Sequence, residues 1–463
     1  MIANIIDTLN NYLYSYILVI VLLGVGIIFT LKTKFIQFHW KEMSAAFSNS
    51  LTGNSKSKKI SSFEAFAVTT ASRVGTGNLA GVALAIIVGG PGAIFWMWIT
   101  ALLGGSLAFI ESTLAQIFKV HDKDNTHFRG GPAYYMQQGL HSKTMGLIFS
   151  ILLLMVFGIA FNSVQANTIA LAFENSFHIP TIVSAFILSI LSAAFIFGGL
   201  PRIAKASALI VPVMAILYLI LCLIVIFINL DKIGNVFLVI FQNAFGLKEF
   251  GTGTLIGTIV TGVKRGLFSN EAGMGSAPNA AAAADTSHPV KQGLIQACGV
   301  FFDTIIICSA TAFLILFSGV DISNASSGIA LTQNALTIYF GNMGNIFLSV
   351  CIFLLAFSSI LGNYFYAQNT MLLISHNKIV LFSFKILVIV PVFAGSVAQF
   401  NLVWNIADLF MGLMALLNIY AIVKLFPFVQ ETLLDYQAQS RQGKDPAFNK
   451  VHVKGLEDVE CWD

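Results

Sequence analysis

Blocks of apolar residues long enough to cross a lipid bilayer recur along the whole length of this chain of 463 residues. Crossing the hydrocarbon core takes about 20 mainly apolar residues in one helix. Eleven blocks approach or exceed that length, at residues 14–31, 62–88, 92–118, 145–173, 180–199, 203–229, 252–283, 292–318, 337–375, 379–398 and 402–426. The pattern predicts an all-α polytopic membrane protein with about eleven transmembrane helices. Several blocks exceed one span, which indicates tilted or interrupted helices.

Two of these blocks contain glycine and polar residues that a simple membrane-spanning helix does not need. Residues 72–82 read SRVGTGNLAGV, with three glycines within seven positions, and residues 262–278 read GVKRGLFSNEAGMGSAP. Such a concentration of glycine weakens a helix even where proline is absent. The polar residues at these two places are Ser72, Thr76, Asn78, Ser269, Asn270 and Glu271. We therefore predict that both helices are broken at mid-depth.

Broken backbone at membrane depth leaves amide and carbonyl groups unpaired, and hydrocarbon cannot satisfy them. A bound ion or zwitterion can, because half-helix N-termini attract a carboxylate and exposed carbonyls ligate a cation. Close helix packing through small residues is an alternative explanation of the glycines, but it does not account for the neighbouring polar residues. The breaks therefore predict a binding site near the middle of the membrane.

The two breaks occupy matching positions in the chain. If the opening helix is set aside, they fall in the first and sixth of ten helices. This arrangement is typical of two inverted repeats of five helices with a binding site at the midplane. We expect a single transmembrane domain followed by a polar cytoplasmic tail. The domain is expected to cover residues 1–427 and the tail residues 428–463. Within the domain we expect a leading helix at 14–31, the two repeats at 62–229 and 252–398, and a last helix at 402–426 that closes the second repeat.

Charged residues within apolar blocks need an explanation, because a charge at the bilayer centre costs about 2.5 kcal/mol or more. The apolar blocks contain Glu64, Arg73, Glu111, Lys264, Arg265, Glu271, Asp303, Lys385 and Asp408. Snorkelling to the interface is the expected explanation for those near predicted helix ends, which are Glu64, Glu111, Lys385 and Asp408. Arg73 and Glu271 lie beside the breaks. They form either a structural pair between the breaks or a part of the gate or substrate site.

Polar residues also interrupt two other apolar blocks. They are Asn162, Gln165 and Asn167 in one block and Ser358, Ser359, Asn363 and Gln368 in the other. Each could form a hydrogen bond to a neighbouring helix. Gln165 follows Asn162 by three residues, so the two share one helix face. The paired hydroxyls of Ser358 and Ser359 suit sodium, a hard cation that prefers oxygen ligands.

Composition and charge narrow the class further. Apolar side chains make up 57% of the chain and charged ones 10%, whereas soluble domains carry about a quarter charged residues. Lysines and arginines concentrate in alternate links between the apolar blocks. The side that carries them is expected to be cytoplasmic. The protein would then lie in the cell membrane with its N-terminus outside the cell and its tail in the cytoplasm. This bias accounts for the formal net charge of +4, so the charge does not indicate a nucleic-acid partner.

A channel or a membrane enzyme fits the pattern less well than a transporter. A channel would need a continuous polar pore, but the polar residues cluster at mid-depth between apolar helix ends. An enzyme would need converging catalytic groups, and all eight histidines lie in links or in the tail, without metal-ligand spacing. We therefore expect a transporter in the lipid bilayer, not an enzyme, and see no sign of an obligate protein partner.

Several segments resemble those of a known family, the alanine or glycine:cation symporters. They are RVGTGNLAGVA (73–83), GGPGAIFWMWITALLG (89–104), FRGGPAYYMQQGL (128–140), VKRGLFSNEAGMGSAPNAAAAA (263–284) and HPVKQGLIQACGVFFDTIIICSATA (288–312). The resemblance extends from Phe29 to about Pro427. It implies a leucine-transporter-type fold and import of a small neutral amino acid with sodium or protons, with no cofactor besides the coupling ion.

The resemblance also implies a set of site residues. The substrate pocket would contain Thr76, Gly77, Asn78, Gln165, Ser269, Asn270, Glu271 and Gly273. The sodium site would be formed by the backbone carbonyls of Ala71 and Val74 with the hydroxyls of Ser358 and Ser359. Sodium would bind first, stabilise the first break and so favour substrate binding. Alternating access would follow from rocking of helices around this site.

One position departs from the family pattern. Family members read Gly-Trp, then aromatic residues and Gly-Glu, in the eighth helix of the ten, whereas this chain reads LGNYFYAQN at 361–369. Asn363 therefore stands where the family has tryptophan. If that tryptophan closes the side-chain end of the pocket, Asn363 makes the pocket larger and more polar. We hypothesise a substrate beyond alanine and glycine, such as serine, asparagine or glutamine.

Overall fold

The structure is a computed structural model that describes residues 2–52, 60–122, 127–247, 254–322, 325–456 and 459–462. Helices dominate this part of the chain, which confirms the predicted all-α class. Eight described helices are long and apolar enough to cross a membrane, or nine if one bent pair counts as a span. The predicted eleven would add a shorter apolar helix and the helix of the second break, and that number stays a prediction.

The first half of the chain begins with a leading helix. Helix α1 covers residues 2–32 and is continuous through a π-helical stretch, Leu13–Leu18. The elements that follow are α2 (Trp40–Thr52), α3a (Ser62–Arg73), α3b (Gly77–Gly89), α4 (Ala93–Ile117), α5 (Pro132–Gln138), α6 (Lys143–Phe177), α7 (Thr181–Ile196), α8 (Leu200–Ile228) and α9 (Ile233–Ala244). Short 3₁₀ turns lie at Ile36–Phe38 and Leu230–Lys232.

The second half repeats the alternation of broken and continuous helices. Its elements are α10 (Leu255–Asn270), α11 (Pro278–Ala281), α12 (Pro289–Ser318), α13 (Gly328–Ile374), α14 (Lys378–Val397) and α15 (Phe400–Arg441), followed by a 3₁₀ turn at Lys450–His452. Within α13, Gly341 has a non-helical φ of 59° and divides the helix into two parts. Further π-helical stretches are Gly77–Gly81, Leu154–Ala160 and Phe301–Cys308, within α3b, α6 and α12.

The first predicted break is present. Helix α3a begins at a capping box, in which Ser61 and Glu64 satisfy each other's backbone amides. Glu64 is therefore a helix cap, and snorkelling does not explain it. The helix ends at Arg73, and α3b starts at Gly77 with its axis turned by 45°. The glycines on both sides of Thr76 account for the interruption, because they lower the cost of leaving the helical conformation.

The second break is wider than the first. Helix α10 ends at Asn270, and the chain resumes helical structure only for one turn, from Pro278 to Ala281. Between them Glu271, Gly273 and Gly275 have positive φ values of 57°, 82° and 84°. A positive φ costs glycine little, but it is uncommon for a residue with a side chain and is often found at functional sites. The predicted half-helix after this break is therefore mostly an extended turn.

Short strands mark one end of the bundle. Ile60–Ser61 pairs in parallel with Ala284–Asp285, and Val120–His121 pairs antiparallel with Phe128–Arg129. Lys119 joins the two pairs, because its Nζ lies 3.4 Å from the carbonyl oxygen of Ala284. We refer to this end as the strand end. Both broken helices have one terminus there, since α3a starts beside the first pair and α11 leads directly into it.

The segment predicted as a polar tail is folded onto the strand end. Helix α15 continues past the predicted end at residue 426 to Arg441, and residues 445–456 and 459–462 then form a C-terminal strap. Its apolar side chains are buried, namely Phe448, Val453, Leu456, Val459 and Trp462. Trp462 donates through Nε1 to the carbonyl oxygen of Gln116 at 2.9 Å. These apolar residues follow no helical or strand period, so the sequence pattern did not indicate their burial.

Candidate functional site

The first break is held together by side chains that satisfy its backbone amides. The amide nitrogen of Gly75 donates to Asn78 Oδ1 at 2.9 Å. The amide nitrogen of Thr76 donates to Gln165 Oε1 at 3.1 Å, and the Thr76 hydroxyl donates to the same oxygen at 2.5 Å. Gln165 comes from α6, so this helix fixes the conformation of the break. The structure thus brings Thr76, Asn78 and Gln165 together, as the resemblance implied.

Oxygen atoms converge on the other side of this break. Ser359 Oγ lies 2.8 Å from the carbonyl oxygen of Ala71, 3.5 Å from that of Val74 and 3.0 Å from that of Leu355. Ser358 Oγ donates to the same Leu355 carbonyl at 2.7 Å. Carbonyls of an unwound helix, together with hydroxyls, offer the oxygen ligands that a hard cation such as sodium prefers, as the resemblance implied. The Leu355 carbonyl was missed, because a backbone oxygen leaves no mark in the sequence.

A buried polar cluster joins the first break to α10 and α12. Asn78 Nδ2 donates to Asp303 Oδ1 at 2.7 Å, and Ser269 Oγ donates to Asp303 Oδ2 at 2.6 Å. Thr304 Oγ1 also donates to Asp303, at 2.9 Å. All these side chains are buried. The sequence indicated no role for Asp303, and its position within a π-helical stretch of α12 is typical of functional residues.

Glu271 links the two breaks through hydroxyl groups. Ser72 Oγ lies 2.8 Å from Glu271 Oε1, and Ser276 Oγ donates to Glu271 Oε2 at 2.6 Å. Ser72 Oγ is also 2.9 Å from Asn363 Oδ1, and Asn363 Nδ2 donates to Asn162 Oδ1 at 3.0 Å. Asn363 therefore belongs to the same buried network as Glu271. The sequence predicted that Asn363 makes the pocket more polar. In the structure this side chain contacts Ser72 at the first break, which in turn contacts Glu271 at the second.

Arg73 and Glu271 do not form the pair that was one of the two predicted alternatives. Arg73 Nη1 lies 3.4 Å from the carbonyl oxygen of Gln296 on α12. Its Nε and Nη2 atoms are buried and have no hydrogen-bond partner among the described residues. The hydroxyls of Ser72 and Ser276 bind Glu271 instead. The described residues therefore show no salt bridge between Arg73 and Glu271, because the hydrogen bond of the arginine goes to α12.

The remaining predicted pocket residues serve the backbone of the breaks. A methyl group at Gly77 would lie 3.1 Å from Ser269 Cα, so this glycine allows the two breaks to touch. Asn270 Oδ1 accepts from the Ala272 amide at 3.0 Å. The amide nitrogen of Gly273 lies 3.3 Å from Glu111 Oε1 on α4. These three residues therefore support the backbone conformation of the breaks.

Glu111 and Asp408 are buried, so snorkelling to the interface is wrong for both. Each has 2% or less of its surface exposed. Asp408 pairs with Arg265 and lies 3.5 Å from Lys264 Nζ. Both lie within about two turns of a helix end, as predicted, but their side chains face the interior of the helix bundle and not the interface.

An aromatic layer packs around the end of α10, next to the second break. The ring of Phe268 lies 4.6 Å from that of Phe161 and 4.7 Å from that of Trp404. The Arg265 guanidinium lies 4.7 Å from the Trp404 ring centroid, and it pairs with Asp408 as described above. Together these groups form a lid of three rings and one ion pair. Aromatic residues are so frequent in this chain that the sequence alone did not single them out.

Two interrupted helices that meet at a buried polar site, flanked by an oxygen cage, define a class of secondary transporter. Comparison with known proteins agrees with this class. The chain matches the Sodium:alanine symporter family over residues 1–450. It is 48% identical over 460 residues to the "Probable sodium/glutamine symporter GlnT" of Bacillus subtilis (strain 168), with 99% of this chain and 96% of that protein aligned. It is 37% identical over 439 residues to the "Sodium/alanine symporter AgcS" of Methanococcus maripaludis, with 91% and 94% aligned.

Solved structures agree at the level of the fold. The crystal structure of MhsT in complex with L-phenylalanine has a TM-score of 0.57 at 14% identity, over 83% of this chain and 92% of that one. The substrate-bound, outward-open structure of a Na⁺-coupled sialic acid symporter has a TM-score of 0.52 at 16% identity, over 90% and 86%. This likeness confirms the predicted leucine-transporter-type fold.

The chain belongs to the sodium:alanine symporter family. It is a multi-pass membrane protein and a sodium-coupled amino-acid symporter. The predictions of family, of fold class and of function class are confirmed.

Proposed function

We propose that this symporter imports a small neutral amino acid with a polar side chain, glutamine foremost, and that the substrate binds between the two breaks. The observation that carries the proposal is the buried network that joins Ser72, Glu271 and Asn363. This network supplies hydrogen-bonding groups to the space between α3, α10 and α13. An amide or hydroxyl side chain of a substrate can exchange hydrogen bonds with these groups, whereas a methyl group cannot.

The two ends of an amino acid have complementary partners at the breaks. The substrate carboxylate is proposed to take over the Thr76 amide and hydroxyl from Gln165, because both donors already point to one oxygen atom. The ammonium group is proposed to bind near Glu271, whose buried carboxyl group accepts hydrogen bonds from two hydroxyls of the described residues. Binding would thus replace internal hydrogen bonds with equivalent ones to the substrate.

The balance of buried charge supports two bound cations. Glu111, Glu271 and Asp303 are buried within electrostatic range of Arg73. None of these four groups forms an ion pair within the described residues. With all three carboxyl groups ionised, one positive and three negative charges give a net charge of −2. Sodium and the substrate ammonium would supply the two missing positive charges, which burial in a membrane demands.

Two positions could hold the cation. The Ala71, Val74 and Leu355 carbonyls with the Ser359 hydroxyl offer neutral oxygens. The Asp303 carboxyl group, with Ser269 beside it, offers a charged one. We propose that sodium uses the neutral cage, because binding there joins α3 to α13 and stiffens the first break.

We infer the orientation of the protein in the membrane from the positive-inside rule. The strand end is proposed to be cytoplasmic, since the links that lead into it carry most of the lysines and arginines, with the N-terminus outside. The lid of Phe161, Phe268 and Trp404 would then separate the site from the outside. The protein is proposed to act by transport alone, without an enzymatic step.

Two features favour a polar substrate, and one favours alanine. Asn363 adds hydrogen-bonding capacity to the pocket, and the 48% identical relative carries glutamine in its name. Against this, a methyl group at Gly75 would lie 2.3 Å from Ser359 Oγ, so the first break is tightly packed. Tight packing favours a small substrate, and alanine is the second candidate.

Uptake by purified protein in liposomes separates these candidates. With an inward sodium gradient we expect saturable accumulation of radiolabelled glutamine, which stops when choline replaces sodium. Unlabelled asparagine and serine should compete at lower concentrations than alanine. Selectivity for alanine and glycine alone would overturn the proposed substrate, and undiminished proton-driven uptake in choline would overturn the coupling ion.

The variant Asn363→Ala tests the residue that carries the proposal. It should raise the ratio of the KM for glutamine to the KM for alanine by about fivefold or more, because one lost hydrogen bond to a polar substrate costs about 1 kcal/mol or more. Asn175→Ala, which removes an amide at the exposed end of α6, is the matched control. An unchanged ratio in Asn363→Ala would show that this residue does not select the substrate.

A further inference from the structure

A carboxylate that does not belong to the substrate site holds the backbone of the second break. Glu111 lies on α4 and is fully buried. Its Oε2 accepts from the Gly275 amide at 3.0 Å, and its Oε1 lies 3.3 Å from the Gly273 amide nitrogen. Both glycines have positive φ. This geometry turns alternate amides to the same side of the chain and creates a concave site for an anion.

Two further side chains complete the contact. Asn418 on α15 donates through Nδ2 to Glu111 Oε2 at 2.8 Å and to the Gly273 carbonyl oxygen at 3.0 Å. Tyr135 on α5 donates its hydroxyl to Asn418 Oδ1. We call Glu111, Asn418 and Tyr135 the clamp. It connects the second break to three helices that contribute no residue to the predicted pocket.

The chemistry of the clamp requires a carboxylate at position 111. Three N–H groups point at the two oxygens of Glu111, and an ionised carboxylate is the side chain that accepts hydrogen bonds on both ends and donates none. A glutamine would face one of these N–H groups with its own NH₂ group. Hydrogen bonds to a charged acceptor are also stronger than those to a neutral one.

The clamp changes what the second break needs from a ligand. The sequence led us to expect that a travelling solute completes the unpaired amides of both breaks. In the second break Glu111 already fills this role for Gly273 and Gly275. The solute is therefore free to bind the side chains of Glu271 and Ser276, which stand on the same turn.

We infer that Glu111 is a positioning residue. It acts as a built-in anion that fixes the turn 271–275 in its binding conformation, and it does so without touching substrate or sodium. This inference rests on the proposal that the second break binds the amino acid. Removing the charge should loosen the turn and weaken amino-acid binding, while the sodium cage on α3 and α13 keeps its geometry.

The test compares Glu111→Gln with the wild-type protein in liposomes. We expect the KM for the amino acid to rise at least tenfold. We expect the sodium concentration for half-maximal uptake, measured at saturating amino acid, to change less than threefold. Glu174→Gln is the matched control, because Glu174 is an exposed carboxylate at the far end of α6, and it should behave as wild type. Glu111→Asp should recover part of the affinity, since it restores the charge on a shorter side chain.

Hydrogen–deuterium exchange of the purified full chain measures the same effect without transport. Amides in a peptide that covers 271–277 should exchange at least tenfold faster in Glu111→Gln, while a peptide that covers 74–80 keeps its wild-type rate. If Glu111→Gln does not yield monodisperse protein, Asn418→Ala removes one donor from the clamp and should shift both readouts in the same direction.

The outcomes separate the inference from the proposed function. Failure of the wild-type protein to accumulate amino acid would overturn the proposed function and leave the exchange result standing. A wild-type KM in Glu111→Gln, or unchanged exchange at 271–277, would overturn the inference alone. An equal rise in both half-saturation values, with faster exchange in both peptides, would also overturn it, because that result indicates general loosening of the fold.

Discussion

The side-chain oxygen Oε1 of Gln165 lies 3.1 Å from the backbone amide nitrogen of Thr76 and 2.5 Å from its hydroxyl oxygen. One oxygen on α6 thus satisfies two donors at the point where α3 is interrupted. Gln165→Ala would leave a buried amide without a partner, which costs about 1–3 kcal/mol. Because the substrate carboxylate is proposed to replace Gln165 at these donors, only the empty site loses a partner, and we expect the KM for the amino acid to fall by about tenfold. Uptake kinetics measure this, and a change below twofold would contradict the role of Gln165 at the break.

Ser358 and Ser359 are adjacent but differ in what they contact. Ser359 Oγ reaches the Ala71 carbonyl on α3, whereas Ser358 Oγ donates to Leu355 within its own helix. Ser359→Ala should therefore raise the sodium concentration for half-maximal uptake by about tenfold or more, the effect of losing about 1.4 kcal/mol. Ser358→Ala removes the same group one residue away and should have a smaller effect. Equal effects of the two substitutions would show that both hydroxyls contact sodium.

Trp462 anchors the C-terminal strap to the strand end. Its ring lies 4.3 Å from Lys119 Nζ, which also lies 4.0 Å from the ring centroid of Phe128. Trp462→Ala should lower the free energy of unfolding by about 3 kcal/mol, through lost burial and lost cation–π contact. Thermal unfolding of detergent-purified protein measures this. Val451→Ala serves as the control, because Val451 is 82% exposed in the same strap, and an equal loss there would contradict a specific anchor.

His288, at the start of α12, makes stability depend on pH. Its Nδ1 accepts from the Val290 amide at 3.2 Å, so the neutral ring carries its proton on Nε2 and directs it to Asp435 Oδ2 at 3.3 Å. Burial lowers the pKa of His288 to about 4, although Asp435 opposes this shift. Between pH 6.5 and about 4 the unfolded chain binds a proton that the folded one does not, so stability falls as pH falls.

At pH 5 the expected loss from His288 is about 2 kcal/mol relative to neutral pH. The difference in melting temperature between pH 7.5 and pH 5 should therefore shrink in His288→Gln. It should persist in His452→Gln, which alters a half-exposed histidine that contacts the same Asp435. A difference that is unchanged in His288→Gln would show that other groups determine the acid sensitivity.

The breaks and most residues near them could be read from the sequence, because glycine composition acts locally. Three glycines around Thr76 weaken a helix wherever it is packed, and Ser359 and Gln165 are polar residues in otherwise apolar blocks. The partners of these residues could not be read in the same way. The sequence places Arg73 next to one break and Glu271 next to the other, which made a pair between them plausible. In the structure Arg73 donates instead to the carbonyl oxygen of Gln296.

Glu111 is the clearest case of a residue whose contacts could not be predicted from the sequence. In the sequence it is a single acidic residue near the predicted end of an apolar block, for which snorkelling is the simplest account. In the structure its side chain is fully buried, and its two oxygens lie near backbone amides of residues more than 160 positions away. The same holds for the strap, whose buried Phe448 and Trp462 follow no period that a pattern could detect.

The sequence by itself determined that the protein is a helical membrane protein, that two of its helices are interrupted at matching positions, and which family it resembles. Those properties depend on hydropathy, on glycine content and on local motifs, which are carried by neighbouring residues. Only the tertiary structure decided which side chains satisfy the interrupted backbone. That choice depends on which distant groups the packing of the helices brings within about 3 Å, the range of a hydrogen bond.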